Sequence, residues 1–182
     1  RGQGKSRFIK IEGKAPEPGQ HNQGQLDEFC RALAAQSQVP RTSVADWGSA
    51  FALLDQAIPR NGKTVVLLDE ISWMGKHDSG FPGDLKIAWD NLFKKHSRLI
   101  VVLCGSVSAW IADNILNNTG FVGRISRDLV LRELPLRDCV RFWGNKASRV
   151  STRDIVDVLS VTGGVPKYLE EIDPSVSADE NI

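Results

Sequence analysis

Two short stretches carry residue types suited to phosphate chemistry. The apolar run "TVVLL" closes in Asp69 and Glu70, and the opening "RGQGKS" sets Gly4, Lys5 and Ser6 in the order that ends a phosphate-binding loop, G-x-x-x-x-G-K-[ST]. Such a loop cradles phosphates with backbone N–H groups, with its lysine on the terminal phosphates and its Ser or Thr on magnesium. A carboxylate at the end of a buried strand supplies the charge that keeps the metal there, and a second acid beside it can orient or deprotonate an attacking water. Taken alone, an apolar strand ending in Asp-Glu is also compatible with a solvated acidic turn. The combination with the upstream Gly-Lys-Ser favours the chemical reading.

Two further groups fit the same chemistry. Ser106 ends "LIVVLCGS", where its hydroxyl could hydrogen-bond a water or a terminal phosphate; it serves equally well as the N-cap of the helix read in "VSAWIADNIL". Arg124 and Arg127, in "GFVGRISRD", could lend a cation to the transition state of a neighbouring subunit, or simply be solvated. Cys30, Cys104 and Cys139 are far apart and set in no metal or disulfide spacing, so they read as small buried apolar residues of a protein in a reducing cytosol. His21, His77 and His96 have no ligand partners at metal spacing and read as exposed. The five tryptophans fall mostly on apolar helix faces and read as core; Trp73, in the Gly-rich "ISWMGKHDSGFPG", is expected in a loop.

The elements that must position these groups alternate. "RFIKIE" and "TVVLLD" read as strands, the second buried on both faces, and "LIVVL" and "RDLVLREL" as two more. Helices are expected in "QLDEFCRALAAQSQ", with Leu26, Phe29, Cys30, Leu33 and Ala34 on one stripe, in "VADWGSAFALLDQAI" capped by Ser43, and in "DLKIAWDNLFKKH" with Leu85, Ala88, Trp89, Leu92 and Phe93 inward. After Pro135 three short helices follow with no strand between them. Alternation implies an α/β fold with a mostly parallel sheet covered on both faces, residues 1–134, and a small helical subdomain, residues 135–182.

The 182 residues, 41% hydrophobic and 25% charged with a net charge of +1, suit a folded chain and exclude an electrostatic pull on nucleic acid or membrane as the main property. The longest apolar run is too short to span a bilayer, so a cytoplasmic protein is expected.

One junction conflicts with the chemistry. A phosphate loop works because a helix follows it, whereas Ser6 is followed at once by the strand "RFIKIE". Parallel strands need a crossover of a dozen or more residues. The expectation is therefore that residues are absent around Ser6–Arg7, and before Arg1.

"GKS", "VVLLDEISWM", "LIVVLCGSVSAWI", "TGFVGRI", "ELPL" and "TGGVPKYL", in this order, resemble the archaeal-type ATPases of the AAA+/STAND class of P-loop NTPases. The resemblance implies a sheet of order 5-1-4-3-2 whose first strand is missing here, and a C-terminal helical lid. It implies ATP and Mg²⁺ as ligands. Gly4 and Lys5 would bind phosphate, Ser6 and Asp69 would hold the metal, and Glu70 would act on water. Ser106 falls at the sensor position and Arg124 at the arginine-finger position. Gly164-Val165-Pro166 falls at a lid motif near the nucleotide base, with Lys167 a phosphate sensor; Gly163-Gly164 as a helix C-cap and Pro166 as a helix first turn are the structural alternatives. The function implied is an ATP-hydrolysing module coupled to a partner or to a C-terminal effector domain, working as a homo-oligomer on a DNA or protein client. The alternative is a nucleotide-regulated signalling or interaction module with negligible turnover. A metal-dependent nuclease lacks the further acids it would need.

Overall fold

A computed structural model describes residues 6–17, 19, 21–106, 109–145 and 150–182. Strand β1 (Arg7–Glu12) is followed by helices α1 (Asn22–Gln36) and α2 (Trp47–Ala57), strand β2 (Thr64–Asp69), and helices α3 (Ile71–Gly75) and α4 (Phe81–Asn91). A 3₁₀ turn (Phe93–Lys95) leads into strand β3 (Leu99–Leu103), and α5 (Ala109–Ile111) runs into a π turn (Ala112–Leu116). Helices α6 (Leu136–Phe142), α7 (Thr152–Thr162), α8 (Pro166–Glu171) and α9 (Ala178–Asn181) complete the chain. No helix among the described residues is long and apolar enough to cross a membrane.

The three strands form one parallel sheet in the order β1-β2-β3, with Arg7 opposite Thr64, Glu12 opposite Asp69, and Thr64 opposite Leu99. Each crossover steps the same way across the sheet, so right-handed connections place their helices on one face. The burial pattern agrees. Ile9, Ile11, Val66 and Leu68 are fully buried with α1, α2 and α4. On the other face Phe8 is 60% exposed, Ile100 44% and Val102 39%, and Val65 and Leu67 are half-buried. The expectation of a sheet covered on both faces therefore holds for one face. An apolar run such as "TVVLLD" signals a strand without saying how many of its faces are packed.

The packed face is aromatic. Trp47 meets Phe29 edge-on at 5.6 Å between ring centres and Phe81 at 4.8 Å. Burying each of these rings contributes roughly 1.5–3 kcal/mol, and Trp47 satisfies its indole N–H on Asn22 at 3.1 Å. The stripe read on α1 is observed, with Leu26, Phe29, Cys30 and Leu33 buried. Two local readings change. Asp46, not Ser43, caps α2, accepting from the Ser49 N–H at 2.7 Å; Ser43 instead donates to Asp27. The "ISWMG" segment is helix α3 rather than loop, because Ile71, Met74 and the following Phe81 are apolar residues buried in the core.

The chain divides into two compact units, residues 1–126 and 127–182. The second has its own core of Cys139, Trp143, Val158, Leu169 and Ala178. Its boundary falls before "RDLVLREL", not after it, and that segment is not a strand. Leu129, Val130 and Leu131 lie exposed, and Leu134 instead donates its N–H to Gly164 at 2.8 Å. A β-branched apolar run becomes a strand only where a neighbour supplies a ladder. Helix α9 was not anticipated, although its capping box, Ser177 with Glu180, is written in "SADE".

Candidate functional site

The carboxyl ends of the three strands form one rim, the edge at which open α/β sheets bind ligands. Backbone bonds continue the ladder beyond the strands: Gly13 donates to Asp69 at 2.9 Å, Cys104 to Leu68 at 2.9 Å and Ile71 to Cys104 at 3.0 Å. Gly13 is required here by space, since a Cβ would stand 2.6 Å from the Glu70 carbonyl oxygen. Asp69 is thus the last residue of β2, and Ser106 follows the adjacent parallel strand by three residues, as the sequence led one to expect. Ser106 is exposed. Its reading as a helix N-cap involves Val107 and Ser108, which lie outside the described residues.

Asp69 is an ion-paired carboxylate. Lys10 Nζ lies 2.9 Å from Asp69 Oδ2 and 3.1 Å from Glu12 Oε2. The hydrogen bond from Lys10 holds the Asp69 carboxyl below its ordinary value; burial opposes this, and the Cys104 thiol, donating to the same carboxylate, adds to it. Burial, then the Asp69 carboxylate, push the Cys104 thiol up. Cys104 is exposed, unlike Cys30 and Cys139, so the reading of all three as buried apolar residues fails at this one.

Glu70 is the most unusual residue of the rim. Its φ of 51° and ψ of 47° are left-handed, and among the described residues no other non-glycine has positive φ. It stands at the N-terminus of α3, its carbonyl accepting from the Trp73 N–H at 2.8 Å. Its Oε2 is buried with no hydrogen-bond partner among the described residues. A left-handed non-glycine costs on the order of 1–3 kcal/mol, and a buried oxygen without a partner costs a similar amount. Thr64 Oγ1 is also without a partner, at the amino end of β2.

The other expected groups do not converge on this rim. Ser6 immediately precedes β1 and is exposed. In a parallel sheet that puts it at the amino rim, roughly 20 Å from Asp69 given ~3.3 Å per strand residue. Ser6 and Asp69 therefore do not share a magnesium ion in this arrangement; Ser6 runs directly into β1, with no crossover helix after it, and this is the physical reason. Gly4 and Lys5 lie outside the described residues. Asp69, ionised and at the strand end, suits a magnesium ligand, whereas Ser6 does not. No group of three or more His, Cys, Asp or Glu residues among those described is arranged to hold a metal.

Arg124 is held within its own chain. Its Nε donates to Asp90 Oδ1 at 3.0 Å and its NH2 nitrogen to Asp90 Oδ2 at 2.8 Å. A guanidinium in a two-pronged pair with Asp90 is not offered to a neighbouring subunit. Arg127 is exposed. In the second unit Gly163 caps α7 with φ 58° and ψ −158°, and a Cβ on Gly164 would overlap the Leu134 backbone. Pro166 begins α8, and Lys167 pairs with Glu170 and Glu171 on the same helix. The local roles of "TGGVPKYL" are thus a C-cap, a close backbone approach and a helix first turn.

Sequence reasoning missed Lys10 and Cys104. In "RFIKIE" the alternation does place Lys10 on the outer face, but which carboxylate it meets depends on the pairing of β1 with β2, which the sequence does not state. His96, which reads as exposed in the sequence, is largely buried and bonds Asp55 at 2.8 Å, a contact between the ends of two helical segments. No protein-family model matches the chain, and no curated protein matches it.

Proposed function

We propose that the chain carries the acidic half of an ATP-hydrolysing site, in a module that couples nucleotide state to a partner or to a C-terminal effector domain. The observation that carries this reading is Glu70, a carboxylate with a buried, unpartnered oxygen held by a left-handed backbone one residue beyond the strand-end Asp69. Strain and orphaned polar atoms persist where the surroundings over-determine them, and they cluster at active sites.

In this reading ATP is the substrate, and the Glu70 carboxylate accepts the proton of the attacking water. Asp69 holds the metal, and the exposed Ser106 hydroxyl bonds the water or the terminal phosphate. Magnesium, when bound, neutralises charge on the phosphates. Ser6 stands at the amino end of β1, so the phosphate-loop role that the resemblance gives Gly4, Lys5 and Ser6 is left out of this reading. Pro166 belongs to the lid. Arg124 acts as a finger in a homo-oligomer only if Asp90 releases it, so the proposal assigns it no catalytic step.

A second reading, a nucleotide-regulated interaction module with negligible turnover, is favoured by one observation: Lys10 already neutralises Asp69. Binding and steady-state hydrolysis of ATP, measured on one preparation of wild type and Glu70→Gln, separate the two. The first reading expects binding to be retained and turnover to fall ~10²–10⁴-fold, the size of a general-base contribution. Equal hydrolysis in both proteins would remove Glu70 from the reaction, and binding without turnover in the wild type would favour the second.

A further inference from the structure

We infer that the amino rim of the sheet is a docking surface for the phosphate backbone of duplex DNA, held without regard to sequence. The inference is independent of the chemistry proposed for the carboxyl rim. Four exposed cations gather where the chain enters β2 and β3. Lys63 immediately precedes β2 and Arg98 immediately precedes β3. The Thr64 N–H donates to the Arg98 carbonyl at 3.1 Å, so Lys63 and Arg98 stand side by side at the ~4.8 Å spacing of neighbouring strands. Arg60 and Lys95 lie three residues earlier on the same two entry segments. His96, bonded to Asp55 at 2.8 Å, ties the second segment to the end of α2, from which the first one leaves.

These cations have no acid beside them. Residues 58–63 and 93–98 hold no carboxylate. Asp55, which precedes the first segment, is engaged by His96, and Asp90, which precedes the second, by Arg124, Lys86 and Lys94. Among the described residues none of the four has an ion pair, whereas Lys10, Lys14, Arg31, Lys86 and Arg124 of the same unit each meet a carboxylate. Like charges side by side are unfavourable, so the row costs stability unless an anion meets it. A net charge of +1 thus conceals a cationic amino rim and, at the other end of the strands, the acids Glu12, Asp69 and Glu70. Such segregation steers a polyanion to one end of the sheet. The other exposed residues of the two segments are Asn61, Lys94 and Ser97. That composition suits backbone phosphates; the segments lack the exposed apolar side chains that enter a lipid surface and the aromatic ones that stack on unpaired bases. Mg·ATP, its charge halved by the metal, has no row of phosphates to match.

The test is binding of a short fluorescent DNA duplex of arbitrary sequence, without nucleotide or divalent cation, followed by anisotropy as salt is raised. Four phosphate contacts predict a log–log salt slope of about −3.6, a ~150-fold loss of affinity between about 50 and 200 mM salt. Lys63→Gln and Arg98→Gln are each expected to reduce that slope by about one. Neither is expected to lower the thermal midpoint, since each removes one of two adjacent like charges. Lys63→Arg keeps the charge and is expected to bind as wild type does. Lys76→Gln removes an exposed cation beyond the carboxyl end of β2 and is expected to leave slope and affinity unchanged. No binding by wild type at the lowest salt, a wild-type slope in both rim variants, or an equal loss in Lys76→Gln would overturn the proposal. So would binding of phosphatidylserine vesicles through Lys63 and Arg98 while the duplex stays free.

Discussion

Ser6 and Asp69 stand at opposite ends of the parallel sheet, one before the first residue of β1 and the other at the last residue of β2. Two groups so separated cannot act on one ion. Ser6→Ala is therefore expected to leave the amide shifts that Mg·ATP induces at Glu70 and Cys104 unchanged, whereas Asp69→Asn diminishes them. Shifts at these residues that fall severalfold on Ser6→Ala would contradict the separation.

The rim has no room at Gly13. A Cβ there would meet the Glu70 carbonyl oxygen at 2.6 Å, and a backbone atom cannot yield as a side chain does. Gly13→Ala is expected to lose roughly 1–3 kcal/mol of stability. At Gly105 the nearest atom is the flexible end of Ile111, at 2.9 Å, so Gly105→Ala is expected to cost less. Chemical denaturation of both variants checks the order; equal losses would contradict it.

Strain at Glu70 predicts a gain on its removal. Glu70→Gly relieves the left-handed backbone and deletes the unpartnered oxygen. Stability is expected to rise by roughly 1 kcal/mol, after subtracting the greater freedom of glycine in the unfolded chain. A lower denaturation midpoint would show that the Glu70 side chain has a partner in solution and would weaken the case for it as an unpaired base.

The Arg124–Asp90 pair predicts an acid limb of stability. Arg124, then Lys86, hold the Asp90 carboxyl well below its ordinary value of 3.8. A depressed folded pKa means stability that is present above the unfolded value and lost as pH falls toward the folded one. Wild type is expected to lose stability below about pH 4, and Asp90→Asn to show a shallower fall over that range. Thermal melts from pH 2 to 6 measure it. Identical slopes would place Asp90 outside the acid transition.

The elements that bury one face were legible because their pattern is local. The α1 stripe, the alternation of β1 and the tail helices each follow from residues within a few turns of one another, and Asp69 and Ser106 fall on the rim because strand ends are visible in sequence. What was hidden depends on pairing. The strand expected at "RDLVLREL" has no ladder partner, Lys10 meets Asp69 only through the β1–β2 register, and His96 finds Asp55 across 41 residues of chain. The left-handed turn at Glu70 has no glycine to announce it. Gly-Lys-Ser was legible as a motif, but Ser6 runs straight into β1 and so stands at the amino rim, away from Asp69.

The central claim is that nucleotide chemistry belongs to the carboxyl rim. The most direct measurement is a Mg·ATP titration of the ¹⁵N-labelled chain followed by amide chemical shifts. The account predicts that the largest changes fall on Gly13, Glu70, Ile71, Cys104, Gly105 and Ser106, and that Arg7, Thr64 and Leu99 at the amino rim barely move. Largest changes at the amino rim, or none at the carboxyl rim at millimolar Mg·ATP, would contradict it.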